Sequence, residues 1–164
     1  MIILGIDPGI ALVGYGVIDY DGNHLRCLEY GCISTPAGTP LPDRLLIIAK
    51  EMDQIIDQFQ PDEVSFEELF FYHNQKTAIM VAQARGVEIY CAKKKQIPLY
   101  EYTPLQIKQS ITGYGKANKI QMQKSIQSLL HLSELPVPDD AADGLAAAIC
   151  HAFGQRFKEE YRME

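Results

Sequence analysis

Apolar residues follow two different periods along this chain, and the places where the period changes mark its elements. Ile2 to Ile6 form an unbroken apolar run stopped by Asp7-Pro8-Gly9, which predicts a short strand buried on both faces in the middle of a sheet. Ala11 to Asp19 and Leu25 to Thr35 are rich in strand formers, and the Asp21-Gly22 between them is a hairpin signal. Three successive strands then make an antiparallel meander. Beyond a proline-rich loop, Leu45, Leu46, Ile48, Ala49, Met52, Ile55, Ile56 and Phe59 recur at helical spacing from Asp43 to Phe59, and Pro61 ends that helix. Val64 to Glu67 is short and apolar, and a right-handed crossover lets it lie parallel to the first strand.

The second half reads as helices around one more strand. Asn74 can cap a helix running to Lys95, Gln96 to Tyr102 is a fifth strand with Pro98 near its entry, and Thr103-Pro104 opens a short helix to Ile111. Gly113 to Lys119 is a loop, Ile120 to Leu130 a helix, and Asp139 to about Arg156 the last helix. This order predicts an α/β fold, a five-stranded mixed sheet with helices on both faces. Residues 1–156 are expected to form one domain, and 157–164 a poorly ordered polar tail with little to pack.

Composition adds exclusions. A hydrophobic fraction of 47% and a charged fraction of 22% are ordinary for a globular chain. No apolar run approaches the roughly 20 residues of a membrane span, and the apolar start lacks a basic leader, so neither a membrane anchor nor a signal peptide is expected. Cys27, Cys32, Cys91 and Cys150 show no CxxC pair and no zinc-like grouping with histidine, which suits reduced cytoplasmic thiols. The net charge of −6 conceals a segregation. Residues 72–131 carry nine bases and two acids, +7, whereas the remainder carries six bases and nineteen acids, −13. A protein that meets a polyanion with one face has this asymmetry.

The acids carry the chemistry. Parallel neighbouring strands bring their C-terminal ends to one sheet edge, so Asp7 and Glu67 should meet there. Asp140 and Asp143, three apart at the start of the last helix, share a face, and the small residues around them allow the helix to approach the sheet closely. Taken alone, this Asp-x-x-Asp also fits a helix N-cap with its acidic partner. Taken together, four carboxylates in one place repel one another unless cations neutralise them. Oxygen ligands without Cys or His are the pattern for Mg²⁺ or Mn²⁺, and two such ions about 4 Å apart suit in-line attack of water on a phosphodiester.

Five segments taken in order, Gly5-Ile6-Asp7-Pro8-Gly9, Phe66-Glu67-Glu68-Leu69-Phe70, Gln83-Ala84-Arg85-Gly86, Gln106-Ile107-Lys108-Gln109 and Asp140-Ala141-Ala142-Asp143-Gly144-Leu145-Ala146, resemble the RuvC family of Holliday-junction resolvases, members of the ribonuclease-H-like superfamily. The resemblance runs from residue 2 to about 155. It implies that Asp7, Glu67, Asp140 and Asp143 are the catalytic, metal-binding acids holding two Mg²⁺ per subunit, with Mn²⁺ a plausible substitute. It also implies a homodimer that cuts two like-polarity strands of a four-way DNA junction, with a branch-migration motor complex of the RuvA and RuvB type as partner. On the same basis Phe70 stacks on an unpaired base, Lys108 and Lys119 contact phosphate near the cut, and Arg85 and Lys116 join the nucleic-acid surface. Glu68 and Asp139 are extra acids to which no catalysis is assigned.

Three rivals remain open on sequence: a related nuclease acting on RNA, an actin-like ATP-binding domain suggested by Asp7-Pro8-Gly9, and a non-catalytic DNA-binding module. The second would need a duplicated half for which 164 residues leave no room, and the third would leave four convergent acids unpaired.

Overall fold

The computed structural model describes residues 1–69 and 75–163. Strands β1 (Ile2–Asp7), β2 (Leu12–Tyr20) and β3 (Leu25–Ser34) precede helix α1 (Leu41–Phe59), strand β4 (Glu63–Glu67), helix α2 (Gln75–Lys94) and strand β5 (Leu99–Tyr102). Helices α3 (Pro104–Thr112), α4 (Lys119–Leu130) and α5 (Asp139–Phe153) follow, and a 3₁₀ helix over Gln155–Tyr161 closes the chain. The sheet order is β3-β2-β1-β4-β5, with β1, β2 and β3 antiparallel and β1, β4 and β5 parallel. The expected mixed five-stranded sheet is therefore present.

Strand β1 is central because its side chains serve two cores. Ile3 packs with α3, α4 and α5 on one face, whereas Leu4 and Ile6 pack with α1 and α2 on the other. A strand with both faces covered has no place for an alternating polar residue, which is why its sequence is continuously apolar. Among the described residues, no helix is long and apolar enough to cross a membrane.

Boundaries differ from the sequence reading where local chemistry overrides the apolar pattern. Helix α1 starts two residues early, at Leu41, because Pro42 falls in the first turn, where a missing N–H costs nothing. Strand β5 starts at Leu99 rather than Gln96, since Gln96 adopts φ 62° and its N–H bonds the Lys93 carbonyl at 2.9 Å, closing helix α2. Helices α3 and α4 both open with capping boxes, Thr103 with Gln106 and Asn118 with Gln121. The expected Asn74 cap lies outside the described residues.

Within the C-terminal segment Phe157, Glu159, Glu160 and Arg162 are exposed, as a polar tail would be, but three residues find partners distant in sequence. The Lys158 ammonium pairs with Glu63, Tyr161 lies 4.7 Å from the Tyr102 ring, and the Met163 N–H donates to the Leu99 carbonyl at 2.9 Å. Arg162 bridges to Tyr100 and so covers the otherwise open edge of β5. Beneath this segment the Tyr102 hydroxyl and Glu63 each stand 2.7 Å from opposite nitrogens of the fully buried His151. Burial raises the Glu63 pKa, but hydrogen bonds from Lys158, His151 and Gln155 outweigh it and hold the carboxyl below its usual range. Burial keeps His151 on the neutral side of its ordinary range.

Candidate active site

The site is built where three elements end or begin. Along β1 alternate residues face opposite ways, so Asp7 follows Ile3 and Gly5 toward α5. Ile6 pairs with Phe66 in the parallel β1–β4 ladder, and the next residues, Asp7 and Glu67, leave the sheet side by side. Helix α5 supplies the rest. Pro138 occupies its N-cap without a side-chain cap bond, so Asp140 is not the capping residue that its position alone would allow.

Helix α5 can reach this edge because the facing surfaces lack side chains. A methyl group on Gly14 would stand 1.8 Å from the Asp140 carbonyl oxygen, one on Gly5 2.2 Å from the Gly144 carbonyl oxygen, and one on Gly144 2.6 Å from the Tyr15 backbone. Farther along, the Ser65 hydroxyl donates to the Ala147 carbonyl at 2.9 Å. Backbone therefore meets backbone. Asp139, the first residue of α5, accepts from Lys119 at 2.8 Å and from Gln123 at 3.0 Å, which ties α4 to the start of the helix. That pairing gives Asp139 a structural role.

Charge brings the four acids into one system. Burial pushes Asp7 up to about 8, and the charges of Glu67, Asp143 and Asp140 push in the same direction, with Lys119 opposing. Glu67 is raised to about 7 by burial and by Asp143, against Lys108. Asp143 is raised to about 6 by burial and by Asp140 and Asp139, against Lys119 and Lys108. Carboxyl groups so placed cannot all ionise near neutrality without a counter-charge. Four oxygen donors that need positive charge fit hard divalent cations. The side chains are grouped but not closed into a cage: among the described residues, no three Asp, Glu, His or Cys side chains converge tightly enough to hold an ion as they stand.

Glu67 and Asp143 open onto a cleft of about 420 Å³, whose walls include Lys108 and Lys119 and the apolar Ile107 and Met122. Lys119 is exposed, and a surface pair such as Lys119–Asp139 is worth little, so the lysine can leave Asp139 for a phosphate. Lys116 is exposed on the neighbouring loop. Arg85 differs from the expectation. Its guanidinium pairs with Glu101 at 2.7 Å, lies over the Phe66 ring and is largely buried, so it ties α2 to β5 and is not presented to a phosphate. Phe70 lies outside the described residues.

One acid went unnoticed in the sequence. Glu88, fully buried on α2, has no hydrogen-bond partner for either carboxyl oxygen among the described residues. The Gly9 N–H faces it without reaching hydrogen-bond geometry, and burial, reinforced by the Asp7 charge, pushes its pKa well up. Nothing local distinguishes Glu88 from a solvated helix residue, and only the packing of α2 against the β1 side reveals it.

Comparison with known proteins extends this picture. Residues 3–151 match the sequence profile of a family described as crossover junction endodeoxyribonuclease RuvC. A protein of that name from Finegoldia magna is 60% identical over 158 residues, covering 96% of each chain. Another, from Alkaliphilus oremlandii, is 50% identical over 164 residues and the whole of both chains. Among solved structures, Thermus thermophilus RuvC in complex with a Holliday junction substrate superposes with a TM-score of 0.93 at 34% identity, covering 99% of each chain.

Proposed function

The chain belongs to the RuvC family of crossover junction endodeoxyribonucleases, with the ribonuclease-H-like fold of that family, and from that premise we propose how its own residues resolve four-way DNA junctions. The observation that carries the proposal is the meeting of Asp7, Glu67, Asp140 and Asp143 beside a lysine-lined cleft. Asp7, Glu67, Asp140 and Asp143 would hold divalent cations, Mg²⁺ or Mn²⁺, and Asp7, whose carboxyl feels the charge of all three other acids, would be the central ligand residue. Such ions, when bound, supply a water of lowered pKa and neutralise the charge that builds on the phosphate and leaving oxygen.

The remaining residues bind and orient. Lys108 and Lys119 hold the strand by its phosphates against the acids, and Lys116 extends the basic track. Phe70 stacks on an unpaired base, by its resemblance to the family pattern. Two symmetric cuts call for two copies related by a two-fold axis. Helix α2 offers the surface for it: Ile79 and Tyr90 are 62% and 64% exposed, and a methyl on Gly86, between them, would meet nothing within 4 Å. That leaves room for a second helix to approach closely. The dimer works in the cytoplasm with a branch-migration motor of the RuvA and RuvB type.

Incubation with an end-labelled mobile four-way junction tests the proposal. Paired cuts at symmetric positions are expected with Mg²⁺ or Mn²⁺ and none in EDTA, with duplex DNA and RNA left largely intact. Equal cutting of duplex or RNA, or cutting in EDTA, would contradict it.

A further inference from the structure

The loop between α3 and α4 presents an aromatic side chain that neither the packing nor the metal chemistry uses. Helix α3 ends on Gly113, whose φ of 79° and N–H to the Gln109 carbonyl at 2.9 Å turn the chain sharply. The Thr112 hydroxyl lies 2.8 Å from the carbonyls of both Lys108 and Tyr114, and so holds the next residue against the end of the helix. Gly115 then packs directly on Leu105, since a methyl at that position would stand 2.2 Å from Leu105 Cδ1. A loop held at three consecutive residues fixes the backbone of Tyr114, whose side chain is 47% exposed.

Its surroundings indicate what it meets. Leu105, 54% exposed, shares a face of α3 with Lys108, three residues on, and Lys108 lines the cleft of the acids. Lys116 and Lys119 follow on the same loop and helix start, both exposed. Lys119 is held only by a surface pair with Asp139 that a phosphate can replace, and the two acids between residues 72 and 131 are engaged elsewhere, Glu88 buried and Glu101 paired with Arg85. An exposed aromatic side chain on the loop that also carries Lys116 and leads into Lys119 suits a single strand whose phosphates take the lysines and whose base takes the ring.

We propose that Tyr114, on the loop that leads into the cleft wall at Ala117 to Lys119, is a base-stacking platform, taking an unpaired nucleobase of the strand that Lys108 and Lys119 hold. The platform rests on the junction-resolvase function proposed above. It stands on the α3–α4 bank of the cleft and names a contact in addition to Phe70. Stacking supplies sequence-tolerant affinity and fixes the strand's rotation, which sets the phosphate that reaches Asp7.

Junction affinity in EDTA, measured for wild type, Tyr114→Ala and Tyr114→Phe, tests it, together with the emission of 2-aminopurine placed on either side of the cut. Tyr114→Ala should weaken junction binding roughly 5- to 150-fold, leave linear duplex binding unchanged and relieve the quenching of 2-aminopurine at one position. Tyr114→Phe, which keeps the ring, should retain both the affinity and the quenching. Wild-type affinity in Tyr114→Ala, an equal loss on junction and duplex, or failure of Tyr114→Phe would overturn the platform. A wild-type protein that binds junction no better than duplex would instead remove the resolvase function on which the platform rests.

Discussion

Asp7→Asn is expected to abolish junction cleavage, by roughly 10³-fold or more, and at the same time to stabilise the metal-free protein. Asparagine fills the same space but offers one neutral acceptor oxygen in place of a charged pair, so it would hold a divalent cation far more weakly. Stability moves the other way because of where Asp7 sits. Its folded pKa of about 8 lies above the ordinary value of 3.8, so the native state holds a proton that the unfolded chain releases. Stability from this group is fully present below about pH 4 and is lost as pH rises through about 8. Asparagine carries no such loss.

In EDTA at pH 8 the variant should therefore unfold later than wild type, by a difference on the order of a few kcal/mol, or roughly 5–10 °C in Tm. The gap should close near pH 4, where Asp7 is neutral anyway, and shrink when Mg²⁺ is added to wild type. Thermal unfolding at the two pH values, with and without Mg²⁺, measures all of this. A variant that melts earlier than wild type at pH 8 in EDTA would show that the acid cluster carries no repulsive strain.

Gly14→Ala should be damaging for a different reason. Its added methyl would fall 1.8 Å from the carbonyl oxygen and 2.4 Å from the carbonyl carbon of Asp140. These are backbone atoms of a helix start and cannot rotate away, so either α5 lifts from the sheet or β2 bends. The overpacking should cost about 1–3 kcal/mol or more. Because the displaced residue is itself a proposed metal ligand, cleavage should fall by about 10²-fold or more even where the protein remains folded. Junction binding, carried by lysines on α3 and α4, should be spared. Full activity in this variant would mean that the close approach of α5 to β2 has no part in the site.

How far the sequence revealed this molecule depended on whether each feature was local. Strand β1 was legible because burial on both faces leaves an unbroken apolar run. The four acids were legible because each stands at a boundary that the sequence marks, two at the ends of apolar strands and two at the start of an alanine-rich helix. Features set by distant partners were not legible. Arg85 looks like a surface cation until Glu101, sixteen residues away, takes it. Lys158 and Tyr161 look like a solvated tail until Glu63 and Tyr102 bind them. Asp139 and Asp140 are adjacent and chemically identical, and only the phase of the helix start sends one to Lys119 and the other to the acid cluster. Tyr114 had a local signal, the Gly-Tyr-Gly sequence after a helix end, but the packing of Gly115 on Leu105 had to be seen in three dimensions.

Crystals of the protein soaked in Mn²⁺ offer the most direct test of the claim that these acids are one cation site. Anomalous difference density should show manganese between the carboxylates of Asp7, Glu67, Asp140 and Asp143, and the peaks should vanish in Asp7→Asn. Manganese bound elsewhere, or density unchanged by that substitution, would contradict the account.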